Sequence, residues 1–356
     1  MSSPDERLEA YDFELPEDAI AQQPTARRED SRLLHLGRDG EGHGTFGDLV
    51  ELLREGDLLV LNDTRVMQAR IHARRPTGGH VEVLLCDPQP DGTWTAMVRP
   101  GRKARVGDLL HVGAHSLVVE GVRQDGLRLV RPSTEAVTIM AEAGELPLPP
   151  YITGRSAEAA RYQTTYARHD GSIAAPTAGL HFTPELLASL GDRGISHATL
   201  TLHVGLGTFL PVKSDFLDGH QMHAERFVVP AETAEAITAT RAAGGRVIAV
   251  GTTTTRTLEA VAARYERIVP CSGETDLFIR PGHVFRAIDG LITNFHLPRS
   301  TLLVLVSTFA EHLGLGGRPR VLAAYAEAVR RGYRFYSFGD AMLLLAQSVR
   351  ASTSAR

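Results

Sequence analysis

Cysteine is almost absent: the 356 residues contain only Cys86 and Cys271. Two thiols cannot build a disulfide scaffold or a four-cysteine zinc site. A reducing compartment with two inert thiols is the simpler reading. Long apolar runs are also missing. The longest candidate, Leu302 to Phe309, falls far short of the ~20 residues a membrane helix needs. The leading MSSPDERLEA is acidic and polar, with no apolar centre, and so reads as no secretory signal. A cytoplasmic chain without membrane contact is therefore expected. There is no excess of positive charge either. The net charge of −4 counts against a pure nucleic-acid-binding module. The glycine–threonine loop that follows strand Arg246–Val250 is neither a Walker A loop nor GxGxxG, and no HExxH occurs, which leaves a methyltransferase-type nucleotide loop and a zincin-type metal site without support.

What is present is an ordinary globular composition, 43% apolar and 22% charged, with length for one large core or two domains. DLLVL (Asp57–Leu61) reads as a buried strand ending in the polar tetrad Asn62-Asp63-Thr64-Arg65. In α/β proteins ligand-binding groups collect at such strand ends. Between Met67 and Gly144 the texture changes to short β-branched runs separated by Gly, Asp and Pro turns, the pattern of a small antiparallel sheet or barrel. Beyond LPLPPYI (Leu146–Ile152) the pattern is mixed α/β. Thr183-Pro184-Glu185 and Ser300 start helices, Ala198–Val204 and Arg246–Val250 read as strands, and a helix follows Thr252–Thr255. A short helix is expected within Tyr11–Gln23, an aromatic strand over Tyr333–Phe338, and a helix capped by Asp340 over AMLLLA. The tail after Gln347 reads as frayed. The expected architecture is mixed α/β, with residues 1–66 and 147–356 as the main domain and 67–146 as an inserted β-barrel.

Several groupings have the composition of a chemical site. GSIAAPTAGLHF (Gly171–Phe182) places small residues where backbone can approach a ligand and ends in His181. His203 in TLHVGLGTF and His296 in ITNFHLPRS have similar flanks, which suggests strand ends converging on one cleft. Taken singly, each is more often a satisfied core histidine. Glu225 in HQMHAE is a candidate carboxylate base or an exposed strand residue. The glycine and threonines at 251–255 offer free N–H groups to an anion, or simply cap a helix. From Met67 to Arg105 seven cations face three anions. This segment is either a charge-guarded sheet edge or a phosphate-contacting surface.

Together these segments resemble the S-adenosylmethionine:tRNA ribosyltransferase-isomerases of queuosine biosynthesis, over roughly Tyr11 to Leu345. The resemblance is carried in order by IAQQP, SRLL, LNDTRV, GGHVEVLL, LPLPPYI, YQTTYA, GSIAAPTAGLHFT, TLHVGLGTF, HQMHAE, VIAVGTTTTRTLE, LITNFHLPRSTLL and YRFYSFGDAML. Departures are small. His283 stands where tyrosine is usual, and Arg226-Phe227 where an aromatic pair is usual. The resemblance implies an α/β domain with an inserted β-barrel. It also implies transfer of the ribosyl part of S-adenosylmethionine to 7-aminomethyl-7-deazaguanine at the tRNA wobble position. Epoxyqueuosine forms, and adenine and methionine leave. S-adenosylmethionine is then a consumed substrate, no cofactor or metal is implied, and a monomer is expected.

Such chemistry needs a base near the sulfonium-acidified C5′–H, a proton donor for departing adenine and acceptors for the ribose hydroxyls. On this reading His181, His203, His296 and Glu225 surround the reacting ribose. Asp63 or Asp340 faces the sulfonium or the hydroxyls, and Arg65 and Arg256 hold a carboxylate or phosphate. Asn62, Thr177, Gly179, Thr252 and Asn294 complete the expected substrate contacts. Arg99, Arg102, Lys103 and Arg105 are the expected contact to the tRNA backbone. A non-catalytic RNA-binding module and a metal-dependent hydrolase using the histidines are the competing readings.

Overall fold

Leu58 and Val60 face one side of a sheet, Leu59 and Leu61 the other, and both sides are covered. The same alternation holds for Val247/Ala249 against Ile248/Val250, and for Met342/Leu344 against Leu343/Leu345. Side chains alternate along a strand, so a strand buried on both faces must be apolar throughout. The computed structural model describes residues 4–152, 159–209 and 214–347. Its main sheet has nine strands, in the order 271–275, 225–229, 196–202, 58–62, 247–250, 290–294, 341–345, 32–37, 40–45. Strands 196–202, 58–62, 247–250 and 290–294 run parallel, so their carboxyl ends share one edge. Strand Ala341–Leu345 runs antiparallel to Gly290–Asn294 and brings Asp340 to that same edge.

Helices Ala231–Ala242, Thr252–Tyr265, Thr301–His312 and Gly317–Arg330 contribute Ile237, Leu258, Leu305 and Ala324 to the core on one face. Helix Pro184–Asp192 and the Phe46–Leu52 turn cover the other with Leu186, Leu190, Phe46 and Leu49. Thr183 and Ser300 cap as their sequence suggests, accepting from the N–H groups of Leu186 (3.1 Å) and Leu303 (3.2 Å).

Six antiparallel strands, 70–74, 80–88, 94–99, 128–132, 115–122 and 109–112, form a barrel closed by the Arg74–His111 pairing. The two-residue strand Gly144–Glu145 pairs beside the first of them. Ile71, Val83, Val98, Leu110, Val119 and Val130 fill the barrel, with Ile139 and Met140 of helix Ala136–Ala143. Ile173 and Leu206 of the main domain join this apolar cluster, so the two cores meet.

Three local expectations are corrected. Tyr11–Gln23 forms short 3-10 turns, at Leu8–Tyr11 and Glu17–Ala19, rather than a helix. Tyr333–Phe338 forms no strand beyond one bridge, Ile20 to Phe335. These two failures have one cause: Ala21 N–H donates to the Phe335 carbonyl and Phe335 N–H to Ala19, so the segments satisfy each other's backbone. AMLLLA is strand Ala341–Leu345, not a helix, and Asp340 caps nothing helical. A short apolar run carries no period that separates the two states. Here pairing on both sides, with strands 290–294 and 32–37, decides. The tail after Gln347 lies outside the described residues.

Candidate active site

The shared edge of the parallel strands opens into a cavity of about 560 Å³, within the usual range for small-molecule sites. Glu225, Arg256, His296, Asn294, Thr177 and Thr252 line it; Thr252 and Arg256 share one helix, Asn294 and His296 share the end of strand 290–294, and Glu225 and Thr177 come from separate segments. Two helices begin at its wall. Helix Thr252–Tyr265 starts after Gly251, which holds φ +91° and has no side chain to cap the first N–H groups. Helix Thr301–His312 starts after Arg299 and Ser300, both also on the wall. Orphan N–H groups and the helix dipole make both ends positive.

Glu225 and Arg256 form a buried ion pair, each side chain 6% exposed. The second Glu225 oxygen accepts from Gly205 N–H at 3.0 Å, and Arg256 Nε donates to the Leu277 carbonyl at 2.9 Å. Both carboxylate oxygens are therefore occupied, and the arginine charge is spent within the pair. His296 Nε2 lies 2.9 Å from Thr293 Oγ1, and burial alone pushes its pKa down to about 3. The imidazole is neutral at physiological pH.

The other predicted residues stand behind or beside this wall. His181 is buried, stacked on Phe46 with ring centroids 4.9 Å apart, and meets Asn294 Nδ2 at 3.2 Å. Burial chiefly, then the charges of Arg334 and Arg28, pushes its pKa down to about 3. Asn62 ties strands together: its Nδ2 donates to the Leu202 carbonyl (3.0 Å) and to Thr253 Oγ1 (3.2 Å), and its Oδ1 accepts from Leu202 N–H (3.0 Å). Gly179 faces away from the cavity; a Cβ there would lie 2.0 Å from the Tyr166 hydroxyl. Asp340 accepts from the N–H groups of Arg32 (2.9 Å) and Arg334 (2.8 Å), fixing the turn that carries Tyr336.

A second polar group gathers around His203. Its Nδ1 lies 2.9 Å from Thr64 Oγ1, which meets Ser172 Oγ at 2.7 Å. Burial, reinforced by Arg226 and His169, lowers the His203 pKa. Asp63 accepts from Thr201 Oγ1 at 2.7 Å and lies 3.8 Å from His169 Nε2. Arg65 is exposed and donates to the Ala167 carbonyl at 2.8 Å. None of these side chains lines the cavity.

Arg99, Arg102, Lys103 and Arg105 are exposed on the barrel. Among the described residues their side chains form no ion pair or hydrogen bond that spends their charge. Tyr151, Tyr336 and Arg299 line the cavity without having been singled out from the sequence, as does His223, which the sequence offered only to a metal site. Tyr336 and Arg299 are non-glycine residues at positive φ, +71° and +55°, a conformation that concentrates at functional sites. For Arg299 one signal was available: it directly precedes a serine N-cap, where an anion-binding helix end begins.

A largely apolar cavity at the carboxyl ends of parallel strands, with a few convergent polar groups, two helix N-termini and a neutral histidine in its wall, defines an α/β enzyme-type ligand site. The model of the family described as queuosine biosynthesis protein matches residues 8–344. Proteins named S-adenosylmethionine:tRNA ribosyltransferase-isomerase are similar over nearly full length. One from Anaeromyxobacter dehalogenans is 52% identical, covering 95% of this chain and 99% of its own. One from Thermus thermophilus is 49% identical, covering 96% and 100%. The crystal structure of an S-adenosylmethionine tRNA ribosyltransferase from Thermotoga maritima superposes with a TM-score of 0.55 at 39% identity, covering 94% of this chain and 100% of that one. The chain belongs to the queuosine biosynthesis protein family.

Proposed function

We propose that this chain is an S-adenosylmethionine:tRNA ribosyltransferase-isomerase. It moves the ribosyl group of S-adenosylmethionine onto 7-aminomethyl-7-deazaguanine at the wobble position and releases adenine and methionine. The observation that carries this reading is the cavity. In a family of that activity, its volume suits a nucleoside with an amino-acid tail, and six residues of the expected site line it.

The cavity narrows the assignment of roles. Of the three histidines expected to carry protons, His296 alone lines it. Its neutral ring is the group suited to accept the C5′ proton that the sulfonium acidifies. Glu225, held by Arg256 and Gly205 N–H, is a fixed polar wall of no net charge beside the reacting ribose rather than a free base. Arg299 and the N–H groups of Thr301 and Leu302 suit the methionyl carboxylate. The exposed barrel cations suit the tRNA backbone. S-adenosylmethionine is consumed, no further cofactor or metal takes part, and the enzyme acts as a monomer in the cytoplasm. Among the described residues no helix is long and apolar enough to cross a membrane.

Incubation with S-adenosylmethionine and tRNA bearing 7-aminomethyl-7-deazaguanine tests the reading. Free adenine should accumulate only when both are present. A folded protein that binds the tRNA and releases no adenine is the non-catalytic RNA-binding module instead.

A further inference from the structure

Asn294 is 2% exposed and lines the cavity, yet its Oδ1 has no hydrogen-bond partner. A buried acceptor left unpaired costs about 1–3 kcal/mol. The orientation of this amide is set by its neighbours. The Tyr336 backbone carbonyl, 3.2 Å away, can only accept, so the group facing it must be the NH₂. The same NH₂ meets His181 Nε2 at 3.2 Å, so that nitrogen must be the acceptor of a neutral ring. A neutral imidazole has one donor and one acceptor nitrogen, and here the acceptor is taken by the Asn294 amide. His181 itself does not line the cavity and so meets no substrate there. It holds Asn294 in one orientation, Oδ1 left over.

The surroundings say what kind of donor that oxygen awaits. Tyr336 supplies the carbonyl that anchors Asn294. Its ring packs against Tyr151, centroids 4.2 Å apart, and both rings line the same cavity. The Tyr151 hydroxyl is tied to Ser337 Oγ at 2.5 Å, which fixes the aromatic wall. A flat base seated against such a wall presents its edge, not its face, to the neighbouring amide. An asparagine oxygen accepts well from an exocyclic purine amine.

We infer that Asn294 Oδ1 reads the 6-amino group of the adenine of S-adenosylmethionine, and that His181 is the positioning residue that orients it. The inference rests on the ribosyl-transfer reading for the identity of the purine.

Substrate analogues test it directly. The wild type should process S-adenosylmethionine about 10- to 100-fold better in kcat/KM than the analogue with purine in place of adenine, the loss expected when one buried polar pair is broken. Asn294→Ala should lower the first rate and leave the two substrates nearly equal. His181→Phe should raise the KM for S-adenosylmethionine about tenfold, leave the KM for tRNA and the shape of the pH–rate profile unchanged, and be partly rescued by His181→Gln, which restores an acceptor. Persistence of the 6-amino preference in Asn294→Ala overturns the inference. So does a His181→Phe profile that loses one limb, which would make His181 a proton carrier. A rise confined to the KM for tRNA would assign the donor to the deazaguanine and overturn it equally. Calorimetric binding of S-adenosylmethionine and its purine analogue reads the same preference without turnover. Failure of the reaction itself is thereby distinguished from failure of this contact, and absence of preference in the wild type contradicts it.

Discussion

Arg256, from the first turns of helix Thr252–Tyr265, reaches Glu225 at the start of the strand Glu225–Val229, and the two charges neutralise each other out of water. Removing either partner leaves the other buried and unpaired, a loss of about 3–5 kcal/mol. Glu225→Ala and Arg256→Ala should each show it in urea unfolding. The double variant Glu225→Leu/Arg256→Met should recover much of it. Additive losses in the double variant would mean that the two residues act on stability independently.

Acid should destabilise the fold through its buried histidines. His181 and His296 are held near 3 against an ordinary 6.5. Between those values the unfolded chain binds protons that the folded one does not, so stability rises with pH across that window. It is complete above pH 6.5 and is lost as pH falls toward 3. The expected cost on going from pH 7 to pH 5 is on the order of 2 kcal/mol per histidine. His181→Phe should flatten the dependence of the urea midpoint on pH. An unchanged slope would mean that His181 is protonated in the native state.

The strands and the barrel were legible because their signals are local. Leu58–Leu61 is apolar throughout since both its faces are covered, and the barrel strands alternate since only their inner face is. The site was legible only in part. The sequence shows that His181 lies beside a turn. It cannot show that Asn294 stands between that ring and the cavity, because this follows from strand 290–294 pairing with 341–345 and from the turn at Tyr336. Tyr333–Phe338 misled for the same reason: its aromatic side chains fit a strand, but its backbone partners lie at Ala19 and Ala21.

Charge on the barrel should govern tRNA affinity alone. Arg102→Glu with Lys103→Glu should weaken tRNA binding and lower the slope of log K against log salt by about two. The KM for S-adenosylmethionine should not move. A slope equal to that of the wild type would place the tRNA backbone elsewhere.

Arg299 sits on the cavity wall with its backbone N–H bonded to the Tyr11 carbonyl at 3.0 Å, and among the described residues no acid neutralises it. Arg299→Gln should raise the KM for S-adenosylmethionine about tenfold, the worth of one charge-assisted contact. Affinity for tRNA should stay within twofold, on the order of the ordinary scatter of surface changes. An effect on tRNA alone would give this guanidinium to a phosphate.

The most direct measurement of the central claim is a product balance. Mass spectrometry of the digested tRNA, with chromatography of the small molecules, should find free adenine, methionine and epoxyqueuosine in equal amounts, and none of them with His296→Phe. Formation of S-adenosylhomocysteine, or modified tRNA without adenine release, would contradict it.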